Sequence, residues 1–246
     1  MSSYSERRRG TCRYDRSMLD YRRRSWWIIA LVAMGLYWLL AIYVRSQPDN
    51  SFDRNFLDWV LDIDVSGLTN FAQDVSDITD TPPRIWLGTI ATIGVALAGR
   101  LRFAAAIVVA LIVIGIPTNY VDFLGGVFTE RFRPNEAPFR SYPSGHTLGT
   151  VTQAGIMIYV TFRLGLPRWI NWLAVAAFGI PAVLVGPARL FVNVHWPTDV
   201  IGSYFLGTSS VILSLIVFEV ANNLFTRVPV VRRNRWWTAP ESADTA

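Results

Sequence analysis

His195 and Asp199 stand four residues apart, with Pro197 between them. Within a helix that spacing puts both side chains on one face. The carboxylate can then accept the Nδ1–H of the imidazole and leave Nε2 free to attack. A proline suits the first turn of such a helix. The other histidine of the chain, His146, ends the run Pro143-Ser144-Gly145-His146. A Ser-Gly turn at a helix start offers outward N–H groups to an anion; it equally makes an ordinary cap. Arg133 and Arg189 bring planar, bidentate donors that match phosphate oxygens, and each could also serve as a headgroup anchor. Taken singly, every one of these features has a structural use. Together, two histidines, two arginines and the turn describe phosphoryl transfer without a metal. His146, His195 and Asp199 could furnish three zinc ligands, but the arginines would then face a cation. No metal and no cofactor is expected.

These residues lie at three separate places in the chain, so something must bring them together. The sequence has 246 residues, 52% of them hydrophobic and only 17% charged, a balance foreign to a soluble domain. Six stretches (26–44, 85–99, 103–121, 147–162, 169–188 and 200–218) contain no Asp, Glu, Lys or Arg. A helix crosses the bilayer with roughly 20 apolar residues. The expected fold is therefore all-α: a polytopic membrane protein built as a six-helix bundle. The second and fourth stretches need flanking residues to reach full length. The first is too long for the apolar core of a signal peptide and lacks a cleavage pattern, so it is expected to remain as a span.

Orientation follows from the arginines, since the chain has no lysine. Sixteen of the 23 fall in the N-terminal tail, in the turns holding Arg100, Arg102, Arg163 and Arg168, and in the C-terminal tail. By the positive-inside rule these mark the cytoplasm. Six spans return the chain to its starting side, so both termini are expected there. The intervening face carries eight aspartates between Asp49 and Asp80. Trp26, Trp27, Trp169, Trp172, Trp236 and Trp237 are expected in an inner aromatic belt, and Trp59, Trp86 and Trp196 in an outer one. The net charge of +5 is explained by topology and anionic lipids and calls for no nucleic-acid partner. Cys12 reads as a free thiol of the cytoplasmic tail.

Between the first two spans, Leu57, Val60, Leu61, Leu68, Phe71, Val75 and Ile78 recur at helical spacing. This predicts an amphipathic segment at the outer interface, broken near Gly67. Three parts result: a basic cytoplasmic tail (1–25), the six-span domain (26–225) and a cytoplasmic C-terminal tail (226–246). Counting spans puts Arg133, the turn at Ser144 and the stretch Arg189 to Asp199 on the same outer face.

These residues resemble the three signature boxes of the type-2 phosphatidic-acid phosphatase superfamily, a family of membrane lipid phosphatases that includes undecaprenyl-diphosphate phosphatases. Its pattern is a Lys with Arg-Pro seven residues on, then Pro-Ser-Gly-His, then Ser-Arg, five residues, His, three residues and Asp. Arg133-Pro134, the run 143–146, and Arg189, His195 and Asp199 match it, and the resemblance spans roughly 85–220. Gly126 and Ala188 depart from it, standing where Lys and Ser belong. Arg131 or Arg140 could replace the missing charge. The resemblance implies that His195 attacks phosphorus, Asp199 steadies the imidazolium, and His146 protonates the leaving oxygen. Arg133, Arg189, the Ser144–Gly145 backbone and Arg131 would hold phosphate. The implied substrate is a lipid phosphate at the outer face of the cell membrane. A phosphotransferase of the same family and a non-catalytic lipid-phosphate binder or transporter are the competing expectations, and the oligomeric state is left open.

Overall fold

The last helix organises the structure. In the computed structural model, which describes residues 24–227, α9 (Pro197–Phe225) is packed against α1 (Arg24–Ser46), α5 (Leu101–Thr129) and α6 (Gly145–Arg163). Its buried residues include Gly202, Ser203, Gly207, Ser209, Ser210 and Ser214. Small side chains allow backbones to approach closely where lipid supplies no hydrophobic drive for helices to associate. Thr118 and Ser210 share a hydrogen bond of 2.9 Å across the α5–α9 seam.

Between α1 and α5 come α2 (Ser51–Leu61), α3 (Leu68–Ile78) and α4 (Thr81–Leu97). The chain breaks between α2 and α3 at Gly67, whose φ of 82° suits a residue without a Cβ. Asn50 caps α2 by accepting the Asp53 N–H, and Asp80 caps α4 by accepting the Thr81 N–H. α7 (Arg168–Ala174) runs through a π-helical turn, Val175–Gly179, into α8 (Ile180–Phe191). Such a turn offsets a helix without ending it.

The regular elements among the described residues are all helical, apart from one isolated bridge between Phe132 and Arg140. Four helical segments are long and apolar enough to cross a membrane: Arg24–Ser46, Leu101–Thr129, Arg168–Phe191 and Pro197–Phe225. Leu31, Ile116, Trp172 and Val183 stand exposed on them, as lipid-facing residues do. The chain is thus a multi-pass membrane protein. The other two expected spans correspond to α4 and α6, which do not meet the same standard. α4 has 17 residues, and α6 carries Thr147, Thr150, Thr152 and Gln153. The arginine-rich tail, Cys12, Trp236 and Trp237 lie outside the described residues.

Two apolar clusters hold the bundle. Phe103, Ile107, Ile156, Val160 and Phe218 form the larger. Tyr37, Ala41, Tyr142, Leu148 and Leu206 form the other, in which Tyr37 and Tyr142 stack with centroids 5.4 Å apart. The Tyr142 hydroxyl donates to the Tyr37 carbonyl at 2.8 Å, tying α1 to the segment that enters α6. The end of α5, the start of α6, the end of α8 and the start of α9 therefore meet at one end of the bundle, with α2 and α3 beside them.

Candidate active site

His195 occupies the short connection between α8 and α9, just after Asn193 at a positive φ of 54°. It is 2% exposed. Its Nδ1 lies 2.9 Å from the carbonyl oxygen of Ser141 and 3.7 Å from Asp199 Oδ2. The carbonyl can only accept, so Nδ1 carries the proton and the Nε2 lone pair is free. This revises the expected pairing. α9 begins at Pro197, so His195 precedes the helix, whose N3 residue is Asp199. The Asp199 carboxylate turns back to accept the Trp196 N–H at 2.8 Å and reaches the imidazole only at longer range. Burial holds the His195 pKa down, and Arg189 and Arg133 act the same way. The nearby Asp199 carboxylate opposes them.

Asp199 is itself fully buried and surrounded by donors. The Ser141 hydroxyl donates to Oδ2, and Arg131 Nη1 donates to Oδ1 at 3.3 Å. Arg131 is the second revision: both of its Nη atoms are taken by protein partners, and only its buried Nε has none. It is 3% exposed, and its Nη2 donates to Asp53 Oδ2 at 2.6 Å. Its Nη1 also donates to the Thr198 hydroxyl at 2.8 Å, and its guanidinium lies 4.9 Å from the Trp196 ring centroid. Asp53 accepts further bonds from the Thr198 N–H at 2.9 Å and the Thr198 hydroxyl at 2.6 Å. A buried carboxylate–guanidinium–carboxylate bridge thus runs from α2 to the base of the His195 loop. Sequence reasoning missed Asp53. The signal was there: it sits four residues before Leu57 and seven before Val60, a carboxylate on the buried stripe of α2.

The anion-binding candidates are arranged differently from one another. Arg189 donates through Nη1 to the hydroxyl of Ser76 on α3, and its Nε is buried without a hydrogen-bond partner. Arg133 lies over the Phe139 ring at 5.4 Å, also with a buried, unpartnered Nε. Ser144 is fully buried; its N–H donates to Ser203 Oγ at 2.6 Å, and its hydroxyl accepts from Thr147. The backbone of Ser144 is therefore committed, a third revision. Its side chain does not cap α6, so the first-turn N–H groups of Gly145 and His146 lack that acceptor. Gly145 is exposed.

His146 Nε2 stands 3.2 Å from Asp80 Oδ1 at the start of α4. Arg189, His195 and Arg84 also lie within electrostatic reach of His146. Among the described residues, no group of three or more His, Cys, Asp or Glu side chains is placed to hold a metal ion.

The two departures from the motif have structural correlates. Ala188 packs against Ala72 and Val75 of α3, and the serine that touches Arg189 comes from that same helix. A methyl group at Gly126 would stand 3.1 Å from the Tyr142 carbonyl oxygen and 3.4 Å from Arg140 Cδ. The Arg140 side chain therefore passes over the position where the motif has lysine.

Residues 101–222 match the model of the PAP2 superfamily. An undecaprenyl-diphosphatase of Sulfolobus acidocaldarius is 36% identical over 107 residues, 41% of this chain and 46% of that protein. A lipid A 1-phosphatase of Rhizobium johnstonii is 31% identical over 113 residues, 46% of this chain and 41% of that one. The chain thus spans a little under half the length of these curated relatives. The crystal structure of a transmembrane PAP2-type phosphatidylglycerolphosphate phosphatase from Bacillus subtilis superposes with a TM-score of 0.62 at 21% identity. That likeness, which covers 81% of this chain and 96% of the other, establishes a shared fold. The chain belongs to the PAP2 superfamily.

Proposed function

We propose that this chain is a membrane lipid phosphatase that cleaves a phosphomonoester or diphosphate through a phosphohistidine. The observation that carries the reading is the state of His195. Its Nδ1 proton is bound by a backbone carbonyl, burial disfavours its charged form, and two arginines with unpartnered buried donors flank it. A neutral imidazole with one nitrogen pinned is a nucleophile aimed through the other.

In this reading Nε2 of His195 forms a bond to phosphorus as the bond to the leaving oxygen breaks. Arg133, Arg189 and the N–H groups of Gly145 and His146 bind the equatorial oxygens, where charge stabilisation matters most. His146 delivers the proton to the leaving oxygen. Asp199, held by Ser141, Arg131 and Trp196, steadies the imidazolium formed at His195. Water then attacks the phosphohistidine and releases phosphate. Six spans, with α4 and α6 completing the set, would put both tails in the cytoplasm and the site at the outer face. α2 and α3 would lie over that face. The substrate is a lipid phosphate, a class supported by the undecaprenyl-diphosphatase and lipid A 1-phosphatase relatives, and the site's face would place it in the outer leaflet.

The test is phosphate release by purified protein from polyprenyl diphosphate, phosphatidate and phosphatidylglycerophosphate, with chelator present. Acid-labile trapping of 32P on the wild type and its absence in His195→Ala are expected. Full activity in His195→Ala would refute the mechanism.

A further inference from the structure

A cavity of about 480 Å³ lies between α4, α5 and α6. Its walls are mostly apolar, with Ile85, Ile93 and Leu111 among them, and Gly145 of the anion-binding turn lines it as well. The cavity therefore borders the site at the residue next to His146, on the side where the leaving group must go. One cation lines it: Arg84, three residues into α4.

An arginine at the end of a membrane helix ordinarily extends toward headgroups and water. Arg84 turns the other way. Its guanidinium lies directly over Gly149, one turn into α6, and a methyl group there would overlap it. Nη1 is buried and has no hydrogen-bond partner. A buried, unsatisfied donor is costly, and more so on a charged group. Asp80, the nearby carboxylate that acts on Arg84, is in contact with His146 Nε2. Asp122, also in the cavity, has its Oδ1 unpartnered and forms no ion pair with Arg84. The backbone of Arg84 is held in place, because Gln153 Nε2 donates to its carbonyl at 2.8 Å.

Resting on the proposed phosphatase reading, we propose that Arg84 selects diphosphates by binding the phosphate that stays on the lipid. When His195 bonds to the terminal phosphorus of a diphosphate, the bridging P–O bond breaks and its electron pair remains on the bridging oxygen. The leaving group is then a lipid monophosphate, which accepts the His146 proton and still carries negative charge. A phosphomonoester releases an alcohol instead, and the alcohol offers no charge for a cation to hold. Arg84 stands on the leaving-group side beside His146, within an apolar cavity suited to the chain behind that phosphate.

The experiment compares farnesyl diphosphate with farnesyl monophosphate, which share one chain. Arg84→Gln is expected to lower kcat/KM for the diphosphate by about 10- to 100-fold, the range of a charge-assisted hydrogen bond. The monophosphate should change less than about threefold, and Arg84→Lys should recover part of the loss. Gly149→Ala keeps the charge but displaces the guanidinium, and it improves helix propensity. It should reproduce the selective loss in a protein that folds. Equal losses on both substrates would mean that Arg84 acts through His146 or the packing of α6, and would overturn the proposal. So would unchanged selectivity in Gly149→Ala and Arg84→Gln. A wild type that releases phosphate from neither substrate defeats the phosphatase reading itself.

Discussion

Arg131 Nη2 lies 2.6 Å from Asp53 Oδ2, with both side chains almost wholly buried and 78 positions apart in the chain. Neither is placed to touch a substrate. Their pair joins α2 to the base of the nucleophile loop, because Thr198 bonds to Asp53 and Asp199 bonds to Arg131. Removing one partner of a buried ion pair strands the other, at about 3–5 kcal/mol. Asp53→Ala should therefore unfold many degrees below the wild type in detergent, and Asp53→Asn, which keeps the shape, less so. A melting temperature unchanged in Asp53→Ala would show that the bridge is not structural.

The acid role of His146 makes a prediction about leaving groups. A positioned general acid contributes on the order of 10²–10⁴ in rate. His146→Ala should lose about that much on alkyl phosphates and far less on p-nitrophenyl phosphate, whose leaving group needs no proton. Equal losses on both would assign His146 to binding instead.

The lowered pKa of His195 sets the acid limb of the rate profile. The nucleophile works only when neutral, so single-turnover phosphohistidine formation should persist below pH 6.5, the ordinary imidazole value. Asp199 favours the imidazolium and Arg189 disfavours it. Asp199→Asn should thus move the limb to lower pH, and Arg189→Gln should move it to higher pH. Comparing variants on one substrate cancels the titration of the phosphate. Shifts in the opposite directions would contradict the geometry.

Ser76 offers a test of the departure at Ala188. Its hydroxyl accepts from Arg189, and a hydrogen bond to a charged group is worth about 1.5–3 kcal/mol. Ser76→Ala should weaken substrate binding by about tenfold, read as a higher KM with little change in kcat. An unaltered KM would leave Arg189 positioned by other contacts.

How far the site was legible depended on distance along the chain. Arg133, the turn at Gly145, and Arg189 with His195 were readable because donor type and spacing are local properties. Their meeting at one end followed from the alternation of apolar runs. The partners of Asp53 and Ser76 were not legible: Thr198 and Arg189 lie 145 and 113 residues away, and no local spacing encodes such pairs. The assumed helical face for His195 and Asp199 failed for a narrower reason. A helix-start proline at 197 leaves residue 195 outside the helix, free to find the Ser141 carbonyl. α4 fell short as a span by its length, and α6 because Thr152 and Gln153 face the cavity, where polar groups are useful.

The buried bridge also has a consequence for how the protein is made. Asp53 leaves the ribosome 145 residues before Thr198, an interval of roughly 7–30 s at about 5–20 residues per second. Throughout that time α2 carries a carboxylate whose guanidinium and hydroxyl partners are still unsynthesised or unplaced. It must wait in contact with water, and α2 can settle only once α9 has entered the bundle. The seat of α2 is thus completed only when the last helix arrives. Chains cut short before Pro197 should remain unassembled and exposed to membrane proteases.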